Sequence, residues 1–485
     1  MRVLQVSAEI FPLLKTGGLA DVAGALPRAL AAAGEDVRVL LPGFPAILAG
    51  VSGLVPVAQL RTPWGDEVRL LHGRIPDLGQ LPAYVAEAPA LYDRPGNPYE
   101  DARRRPYADN HRRFALLGWA AARLAQGADA LWAPELVHAH DWHAALAPAY
   151  LAYLPGRPVG SVYTVHNLAY QGQFGAGVFG ELGLPPQAFD VNGLEFHGDV
   201  SFMKAGLYFA DRITTVSPTY AREIQTPAQG QGLDGLLRGR AGVLSGILNG
   251  VDDAVWNPAD DPLLPHRYRM PEGRRMAGKA LCKAALQHAL GLEVRGDLPL
   301  FVLVSRLTEQ KGLHLVLEGL DELLARGGQL ALLGAGDAAL EDAFRARAAA
   351  APRRVSATLG YDEALAHRLF AAGDVTLVPS MFEPCGLTQM YGLRYGALPL
   401  VHRVGGLADT VVDCTLEDMA EGLANGFVFD GFTAADYGRA LRRAFALHAR
   451  PADWRRVRAA GMRRPAGWSE PAQRYAEVYR QALAR

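Results

Sequence analysis

The stretch Val375-Thr-Leu-Val-Pro-Ser-Met-Phe-Glu-Pro-Cys-Gly-Leu-Thr-Gln-Met390 joins a short apolar strand to a helix through a polar loop. Glu383 follows the strand and can accept hydrogen bonds from sugar hydroxyls. The backbone amides near Gly386, Leu387 and Thr388 open the helix, where its dipole favours an anion. The loop therefore predicts a sugar phosphate site, although an ordinary capped helix in an α/β protein gives a similar pattern.

The overall composition is that of a large and nearly neutral protein. The chain has 485 residues, 50% of them hydrophobic, which is enough for two large domains with their own cores. Its 49 lysines and arginines nearly balance 50 aspartates and glutamates, leaving a formal charge of -1. We therefore expect no general attraction to nucleic acid or to an anionic membrane.

Cysteine usage and the first residues predict the compartment. Cys282, Cys385 and Cys414 are too few and too scattered for a disulfide framework or a zinc site, which suits a reducing cytoplasm. The chain opens on a predicted strand rather than on a signal or transit peptide. No apolar run reaches the roughly 20 residues that span a bilayer. We expect a cytoplasmic protein, and the oligomeric state stays open.

Short apolar runs alternate with amphipathic segments in both halves, which is the pattern of parallel sheets covered by helices. Strands are predicted near 3–7, 37–41, 136–140, 161–165, 212–216, 300–305, 329–334, 356–359, 375–379 and 398–402. Helices are predicted at 20–33 and 112–124, after Gly312, Ala338, Glu363 and Leu387, and at 471–484. Two doubly wound sheets follow, and such sheets bind ligands beyond the carboxyl ends of their strands, where strand order reverses.

The domain boundary is predicted near Gly246, where a short strand and a turn signal precede a Pro-containing stretch. Residues 1–245 then form an N-terminal Rossmann-like domain and residues 246–460 a C-terminal one. Residues 461–485 provide a helix that is expected to pack back on the N-terminal domain. Residues 91–105, rich in Pro, Gly, Asn and Arg, are predicted to form a long surface loop, a kind of loop that often carries function.

A second candidate phosphate loop follows the first strand, in Lys15-Thr-Gly-Gly-Leu-Ala-Asp21. Gly17 and Gly18 allow the backbone to approach an anion closely, and Lys15 adds a positive charge at a helix start. A plain βα turn with a solvated lysine explains the same residues. The dinucleotide fingerprint G-x-G-x-x-G is absent after this strand, which argues against a nicotinamide dehydrogenase.

Two cations follow the first strand of the second half. Ser305-Arg-Leu-Thr-Glu-Gln-Lys-Gly312 places Arg306 and Lys311 at the carboxyl end of that strand. An arginine fork and a lysine point charge at this spacing can clamp a pyrophosphate. The alternative is that these are surface charges that cap a helix. This alternative is less favoured, because the Glu383 loop follows another strand of the same sheet and both loops then lie at one edge.

Histidines and aromatic residues end two strands of the first half, in His138-Ala-His-Asp-Trp-His143 and Tyr163-Thr-Val-His-Asn-Leu-Ala-Tyr-Gln-Gly172. No metal is expected, because strand alternation points His138 and His140 one way and Asp141 the other, and no second ligand cluster is recognisable. Neutral polar groups beside Trp142 and Tyr170 suit a sugar. A buried, hydrogen-bonded core histidine is the alternative for His138 and His140.

Two glycine-containing segments imitate nucleotide motifs. Gly273-Arg-Arg-Met-Ala-Gly-Lys-Ala280 nearly matches a Walker A loop, but Ala280 replaces the Ser or Thr that would bind magnesium, and no strand precedes it. We therefore predict a helix start there. Gly334-Ala-Gly336 lacks the third glycine of a dinucleotide site.

Long motifs in a fixed order cover nearly the whole chain. They are KTGGLADV at 15–22, DRPGNPY at 93–99, HDWH at 140–143, TVHNLAYQG at 164–172, LNGVD at 248–252, SRLTEQKG at 305–312, EPCGLTQMYGLRYG at 383–396 and GGLADTV at 405–411. With them the chain resembles the bacterial glycogen synthases, close relatives of the plant starch synthases. The resemblance implies an α/β protein of the GT-B fold, in which two doubly wound, Rossmann-like domains face a deep cleft. It also implies a retaining glucosyltransferase that moves glucose from ADP-glucose to the non-reducing end of an α-1,4-glucan.

The resemblance further implies roles for individual residues. The expected catalytic residues are Glu383, His166, Asp141, Arg306 and Lys311. The expected substrate-binding residues are Lys15, Gly18, Asn249, Tyr361, Cys385, Gly386, Leu387, Thr388 and Trp142. The phosphates are expected to contact Lys15, Gly18, Arg306 and Lys311, and the glucose hydroxyls to contact Glu383 and the 385–387 backbone. His166 is expected near carbon six and the reacting centre, Asn249 in the donor pocket and Tyr361 on adenine. The acceptor is expected to bind at Asp141 and Trp142.

One broader pattern of the retaining GT-B enzymes is missing. Many of them carry a second glutamate eight positions after the first, and this chain has Tyr391 there. The role of a second carboxylate therefore has no assigned residue. With no compelling nucleophile, we expect same-face attack in which the leaving phosphate helps to take the acceptor proton.

The leaving diphosphate needs positive charge, which Arg306, Lys311 and two helix amino ends can supply, so no metal or other cofactor is expected. Domain closure is expected to assemble the site, because Lys15 and Arg306 lie on different domains. Two alternatives stay open: a GT-B enzyme that uses UDP-glucose or a small acceptor, and a catalytically silent glucan-binding protein. The second has less weight, because a silent protein would not need the phosphate-binding cations.

Overall fold

The structure is a computed structural model that describes residues 1–153, 159–270 and 276–484. The chain divides into two compact units. Unit 1 comprises Met1–Gly250 and Trp468–Arg485, and unit 2 comprises Val251–Gly467. The last helix of the chain thus belongs to unit 1, although it follows unit 2 in the sequence.

The strands follow the order of the chain. Those of unit 1 are β1 (Arg2–Val6), β2 (Asp36–Pro42), β3 (Ser52–Arg61), β4 (Glu67–Ile75), β5 (Leu81–Glu87), β6 (Leu136–His140), β7 (Gly160–Val165), β8 (Gln173–Phe174), β9 (Glu195–Phe196), β10 (Asp199–Ser201), β11 (Arg212–Thr215) and β12 (Leu244–Gly246). Those of unit 2 are β13 (Leu300–Val304), β14 (Gln329–Gly334), β15 (Val355–Leu359), β16 (Val375–Val378), β17 (Leu398–His402) and β18 (Phe427–Phe429).

The α-helices of unit 1 are α1 (Gly18–Ala32), α2 (Pro45–Gly50), α3 (Pro89–Tyr92), α4 (Asn110–Ala125), α5 (Asp141–Ala144), α6 (Leu146–Tyr153), α7 (Phe202–Phe209), α8 (Pro218–Glu223), α9 (Asp234–Gly239) and, at the carboxyl end of the chain, α19 (Ser469–Leu483). Those of unit 2 are α10 (Ala277–Ala289), α11 (Leu313–Ala325), α12 (Ala338–Ala350), α13 (Glu363–Ala372), α14 (Thr388–Tyr395), α15 (Gly405–Thr410), α16 (Leu416–Glu421), α17 (Ala434–His448) and α18 (Pro451–Arg463). Short 3-10 helices lie at Pro76–Leu78, Ala176–Glu181, Pro186–Ala188, Ala241–Val243 and Glu309–Lys311. Within the described ranges, no helix combines the length and the apolar character needed to cross a membrane.

The large sheet of unit 1 has nine strands in the order β12-β11-β7-β6-β1-β2-β5-β4-β3. From β12 to β5 every pair of neighbours is parallel. The chain leaves β1 towards β2 on one side and later returns to β6 on the other, so strand order reverses between β1 and β6. The loops after these two strands therefore occupy the position where doubly wound sheets bind ligands.

The edge formed by β3 and β4 differs from the predicted, fully parallel sheet. Both pairings, β3 with β4 and β4 with β5, are antiparallel. In β4, Glu67 and Arg69 are exposed whereas Val68 and Leu70 are buried, which is the alternation of an antiparallel strand with one solvated face. The turn before it is closed by Thr62, whose backbone N–H donates to Asp66 O at 2.9 Å and whose hydroxyl accepts from Asp66 N at 2.8 Å.

The sheet of unit 2 is parallel throughout, in the order β15-β14-β13-β16-β17-β18. Its central strands are short and apolar, as in Leu300-Phe-Val-Leu-Val304, and they are buried because helices cover both faces. Strand order reverses between β13 and β16. The loops that carry Arg306, Lys311 and Glu383 follow these two strands.

Helix α19 packs against the sheet and the first helix of unit 1. Tyr475 and Tyr479 are fully buried in one cluster with Val3, Leu136 and Val162, from three parallel strands. The Tyr479 hydroxyl also lies 2.8 Å from His138 Nδ1 at the end of β6. The helix therefore contributes both apolar burial and a polar contact beside the functional loops.

The Walker-like segment that was predicted as a helix start lies partly outside the described residues, which resume at Met276. Helix α10 begins at Ala277 and includes Lys279, the lysine of that motif. Lys279 is buried, and its ammonium donates to the carbonyls of Ala371 and Tyr395 at 3.0 and 2.9 Å. In this structure it stabilises the carboxyl ends of two helices.

Candidate active site

The loop after β1 brings Lys15 and Gly18 to the start of α1. Lys15 Nζ donates to Asp21 Oδ1 at 3.0 Å and lies 5.1 Å from the centre of the Phe11 ring. Among the described residues, no side chain caps α1 and a Cβ placed on Gly17 would meet no atom within 4 Å. The start of α1 thus leaves room for an anion beside its backbone amides, with the Lys15–Asp21 pair next to it.

The carboxylate of Glu9 stabilises this loop through hydrogen bonds. Glu9 is buried and accepts hydrogen bonds from the backbone N–H and the hydroxyl of Thr16, each at 2.5 Å. The hydroxyl of Tyr99 also donates to Glu9. Burial and the adjacent Glu9 carboxylate keep the pKa of Tyr99 well above its usual value. Sequence reasoning gave no role to Glu9 or Tyr99, because ninety residues separate these two partners.

The residues after β6 and β7 come together in unit 1. Asp141 begins α5 in a left-handed conformation, with φ of 57°, and accepts from the backbone N–H of His166 at 3.3 Å. The rings of His140 and His166 are joined by a hydrogen bond of 3.0 Å. Burial raises the pKa of Asp141 to about 7 and lowers that of His166 to about 3. The Asp141 carboxyl can therefore exchange a proton near neutral pH, whereas the His166 ring stays neutral.

Trp142 lies over Gly172, where an added Cβ would approach its ring to 2.3 Å. Its ring packs edge-on against Phe114, with 4.9 Å between centroids. His143 stacks on Tyr99 at 4.7 Å, which connects the aromatic cluster to the Glu9 network. Tyr170 remains about half exposed.

The remaining candidates of unit 1 are His138 and Asn249. His138 is buried with both ring nitrogens occupied, by Tyr479 at 2.8 Å and by the Thr164 hydroxyl at 2.6 Å, so the alternative of a core histidine describes it. Asn249 is buried, and its Oδ1 has no hydrogen-bond partner among the described residues. In the parts of the chain that the structure describes, no cluster of three or more His, Cys, Asp or Glu could hold a metal ion.

In unit 2 the two loops at the strand reversal meet directly. Lys311 Nζ donates to Glu383 Oε2 at 2.6 Å, and the Ser380 hydroxyl donates to the same oxygen at 2.8 Å. Glu383 is buried and Lys311 is partly buried, so the pair is shielded from bulk water. Ser380 was not predicted, and its place two residues after β16 is the sequence signal that points to it.

The backbone of the 383–388 loop is held from the opposite side by α15. The carbonyl of Glu383 accepts from Gly406 N at 3.1 Å, and an added Cβ at Gly405 would lie 2.0 Å from that carbonyl. The backbone N–H groups of Gly386 and Leu387 make no hydrogen bond with any described residue, and Leu387 caps α14 without a side-chain bond. Cys385 is buried in this loop and forms no disulfide with a described residue. The loop thus leaves donors available beside the carboxylate.

Arg306 and Tyr361 lie on the exposed ends of β13 and β15. The Arg306 side chain is exposed, and its backbone carbonyl accepts from the Ser305 hydroxyl at 2.9 Å. The Tyr361 side chain is 72% exposed, with its hydroxyl bonded to Glu363. Both side chains are therefore accessible to a ligand.

Tyr391, which occupies the position of the missing second glutamate, is buried in an aromatic stack. Its ring lies 3.9 Å from that of Trp256, at an interplanar angle of 12°, and Trp256 stacks in turn on His367 at 3.8 Å. The position serves packing within unit 2, so it provides no carboxylate.

Replacement of Gly312 by alanine should damage the cation loop. Gly312 has φ of +66°, and its added Cβ would lie 2.0 Å from the carbonyl oxygen of Pro379. The left-handed conformation should cost about 1–2 kcal/mol and the clash about 1–3 kcal/mol more. Gly327→Ala is the matched control, because its φ is +93° but its Cβ would meet only Leu298 at 3.6 Å. Thermal unfolding should show the larger loss for Gly312→Ala, and equal losses would contradict the role of the close approach.

Comparison with known proteins identifies the family. The family described as "Starch synthase catalytic domain" matches residues 2–239, and that described as "Glycosyl transferases group 1" matches residues 291–457. The glycogen synthase of Variovorax paradoxus is 73% identical over 100% of this chain and 99% of the relative. That of Leptothrix cholodnii is 60% identical, with 100% of both chains covered.

Solved structures agree with this result. The catalytic domain of starch synthase IV from Arabidopsis thaliana, bound to ADP and acarbose, superposes with a TM-score of 0.90 at 31% identity, covering 100% of this chain and 99% of that one. The sucrose-phosphate synthase of Thermosynechococcus elongatus shares the fold, with a TM-score of 0.59 at 18% identity over 100% and 99% of the two chains. The chain has the two-domain, GT-B-like α/β fold and belongs to the glycogen synthase family of glucosyltransferases.

Proposed function

We propose that this chain transfers glucose from ADP-glucose to the non-reducing end of an α-1,4-glucan, with retention at the anomeric carbon and release of ADP. The observation that carries the proposal is the 2.6 Å contact between Lys311 and Glu383. A sugar nucleotide carries a hydroxyl-bearing ring next to a diphosphate, so its site needs acceptors and cations side by side. The two loops at the strand reversal of unit 2 provide both.

The phosphates are assigned to Arg306 and Lys311 in unit 2 and to Lys15 and the Gly18 backbone in unit 1. Arginine offers a planar fork to phosphate oxygens, whereas lysine offers a point charge. The uncapped start of α1 adds oriented amides to the charge of Lys15. These groups can carry the charge of the leaving diphosphate, so we propose catalysis without a metal or other cofactor.

The glucose hydroxyls are assigned to Glu383 and to the backbone of Cys385, Gly386 and Leu387, with Thr388 opening the helix behind them. The exposed ring of Tyr361 is proposed to stack on adenine. Asn249, whose Oδ1 has no partner in the described part of the chain, is proposed to line the donor pocket. The solved starch synthase IV holds ADP, which supports ADP as the nucleotide product here.

Acceptor binding is assigned to Asp141 and Trp142, and His166 is placed near carbon six and the reacting centre. Tyr391 is stacked in the aromatic core, so it gives no nucleophile for a covalent intermediate. We therefore propose same-face attack, in which the leaving phosphate takes the acceptor proton. We place the reaction in the cytoplasm, where the three cysteines, which form no disulfide among the described residues, remain reduced.

The test is incorporation of labelled glucose into glycogen from ADP-glucose and, separately, from UDP-glucose, in magnesium-free buffer with a chelator. We expect strong transfer from ADP-glucose, and a loss of about 100-fold in kcat/KM for Lys15→Ala, because one phosphate cation is removed. Arg345→Ala, which removes a largely exposed cation of α12, should leave transfer unchanged.

Transfer from UDP-glucose alone would overturn the donor assignment. Transfer that requires added magnesium would overturn the metal-free mechanism. Absence of transfer from either donor would favour an enzyme with a small acceptor or a silent glucan-binding protein. A glycogen-binding assay would then distinguish these two alternatives.

A further inference from the structure

The hydrogen bond between His140 and His166 joins a buried ring to a ring at the proposed reacting centre. His140 ends β6 and is completely buried, whereas His166 follows β7 and is only partly buried. His140 Nδ1 and His166 Nε2 are 3.0 Å apart, and the ring centroids are 5.2 Å apart. One of these two nitrogens must carry the proton of the hydrogen bond. Whether His140 Nδ1 is protonated therefore decides the tautomer of His166.

Both rings are neutral in the folded protein. Burial lowers the pKa of His166 to about 3, and burial together with the neighbouring histidines holds the pKa of His140 well below its ordinary value. Each neutral imidazole has one N–H and one bare nitrogen. Two arrangements of the pair are therefore possible, with the shared proton on His140 or on His166.

The second nitrogen of His140 separates the two arrangements. His140 Nε2 is buried and has no hydrogen-bond partner in the described part of the chain. If His166 donated to His140, Nε2 of His140 would carry a buried N–H without an acceptor. If His140 donates, Nε2 is a bare nitrogen. Orphaned buried N–H groups are the rarer and costlier case, so the second arrangement is favoured.

We propose that His140 is a positioning residue whose Nδ1–H donates to His166 Nε2, so that His166 presents a protonated Nδ1 to the substrate as a hydrogen-bond donor. The inference rests on the proposed function for the substrate that His166 meets. The hydrogen bond between His166 Nε2 and His140 is the only one that the His166 ring makes to a described residue, so Nδ1 is left for the substrate. In this state His166 binds a sugar oxygen and does not act as a general base.

The surroundings hold both rings in place. The His138 ring lies 4.0 Å from the His140 ring and is itself anchored by Tyr479 and Thr164. Asp141 holds the His166 backbone at 3.3 Å. His140 is thus enclosed by its neighbours and the His166 backbone is anchored beside it, so the tautomer follows from the hydrogen bonds of this arrangement.

The test is nitrogen-15 NMR of the histidine side chains in the full chain without substrate, with His166→Gln used to assign the signals of His166. Wild type should show His166 protonated at Nδ1. His140→Leu removes the donor and should give a mixture of tautomers. His140→Asn keeps an amide donor near the Nδ1 position and should restore the wild-type tautomer.

Activity supplies an independent readout. We expect His140→Leu to lower kcat by up to about 100-fold with a small change in KM, and His140→Asn to recover most of that loss. His166 protonated at Nε2 in the wild type, or an unchanged tautomer in His140→Leu, would overturn the proposal. If wild type shows the Nδ1–H tautomer but no glucosyl transfer, the proposed function fails while the assignment of His140 stands.

Discussion

Replacement of Glu383 by glutamine is expected to lower kcat by about 10²- to 10³-fold while the protein stays folded. Glycosyl transfer passes through a transition state in which the sugar ring gains positive charge. A buried carboxylate next to that ring stabilises the charge, and glutamine keeps its shape but not its negative charge. Steady-state kinetics with ADP-glucose and glycogen would measure the loss.

The contact with Lys311 needs a control, because glutamine also leaves that ammonium without its partner. Lys311→Ala should raise KM for ADP-glucose, and the double variant should be less impaired than the product of the two single effects, since the side chains touch. Glu322→Gln removes the same charge from an exposed ion-pair cluster with Arg326 and Arg442 and should have no effect on transfer. A kcat for Glu383→Gln within threefold of wild type would contradict the assignment.

The central strands were predictable because they are buried on both faces. Leu136–His140, Gln329–Gly334 and Leu398–His402 have the predicted bounds, since a short apolar run between turn residues has few other interpretations. The β3–β4 hairpin was missed because its strands are half exposed. Gly53 and Pro56 within β3 suggest a turn, and only the pairing with β4 makes the segment a strand.

The loops of the candidate site could be located from the sequence, because polar residues follow apolar strands. Their internal contacts could not. Glu9 with Tyr99 and Lys311 with Glu383 are separated by 90 and 72 residues, distances over which sequence spacing carries no geometric information. The tautomer proposed for His166 depends on a buried nitrogen of His140 that has no partner among the described residues, and no pattern of residue types shows that.

Lysine usage is a signal that sequence reasoning did not use. The chain has only five lysines among its 49 basic residues. Lys204, Lys279 and Lys283 donate to backbone carbonyls within their own units. The other two, Lys15 and Lys311, are the lysines of the two candidate phosphate loops. Most basic residues of this chain are arginines, so lysines at these positions indicate sites where a compact point charge is useful.

Two buried aspartates are expected to affect stability in opposite directions. Burial raises the pKa of Asp141 to about 7 from 3.8, although backbone N–H groups of Asn167 and His166 oppose the rise. Burial alone would also raise the pKa of Asp374, but Lys283, whose ammonium lies 2.7 Å away, and Leu300 N at 2.9 Å hold it below its usual value. The folded state therefore disfavours the ionised form of Asp141 and favours the ionised form of Asp374.

For Asp141→Asn we expect higher stability than wild type at pH 8. The unfolded carboxyl ionises near pH 4, but the folded one keeps its proton until about pH 7, so wild-type stability falls as the pH rises through that window. The loss reaches at most about 4 kcal/mol above pH 7. Asparagine can still accept the backbone hydrogen bonds and carries no charge. The difference from wild type should therefore grow from pH 4 to pH 8 in scanning calorimetry.

For Asp374→Asn the sign is reversed. Its folded pKa is depressed, so its contribution to stability is present at neutral pH and is lost only as the pH falls through the folded pKa. At pH 8 the variant leaves the Lys283 ammonium buried without its counter-ion, at a cost of about 3–5 kcal/mol. Calorimetry over the same pH range would compare the two variants. Two results would contradict this assignment. One is an Asp374→Asn variant that is more stable than wild type. The other is an Asp141→Asn variant whose stability difference from wild type does not change with pH.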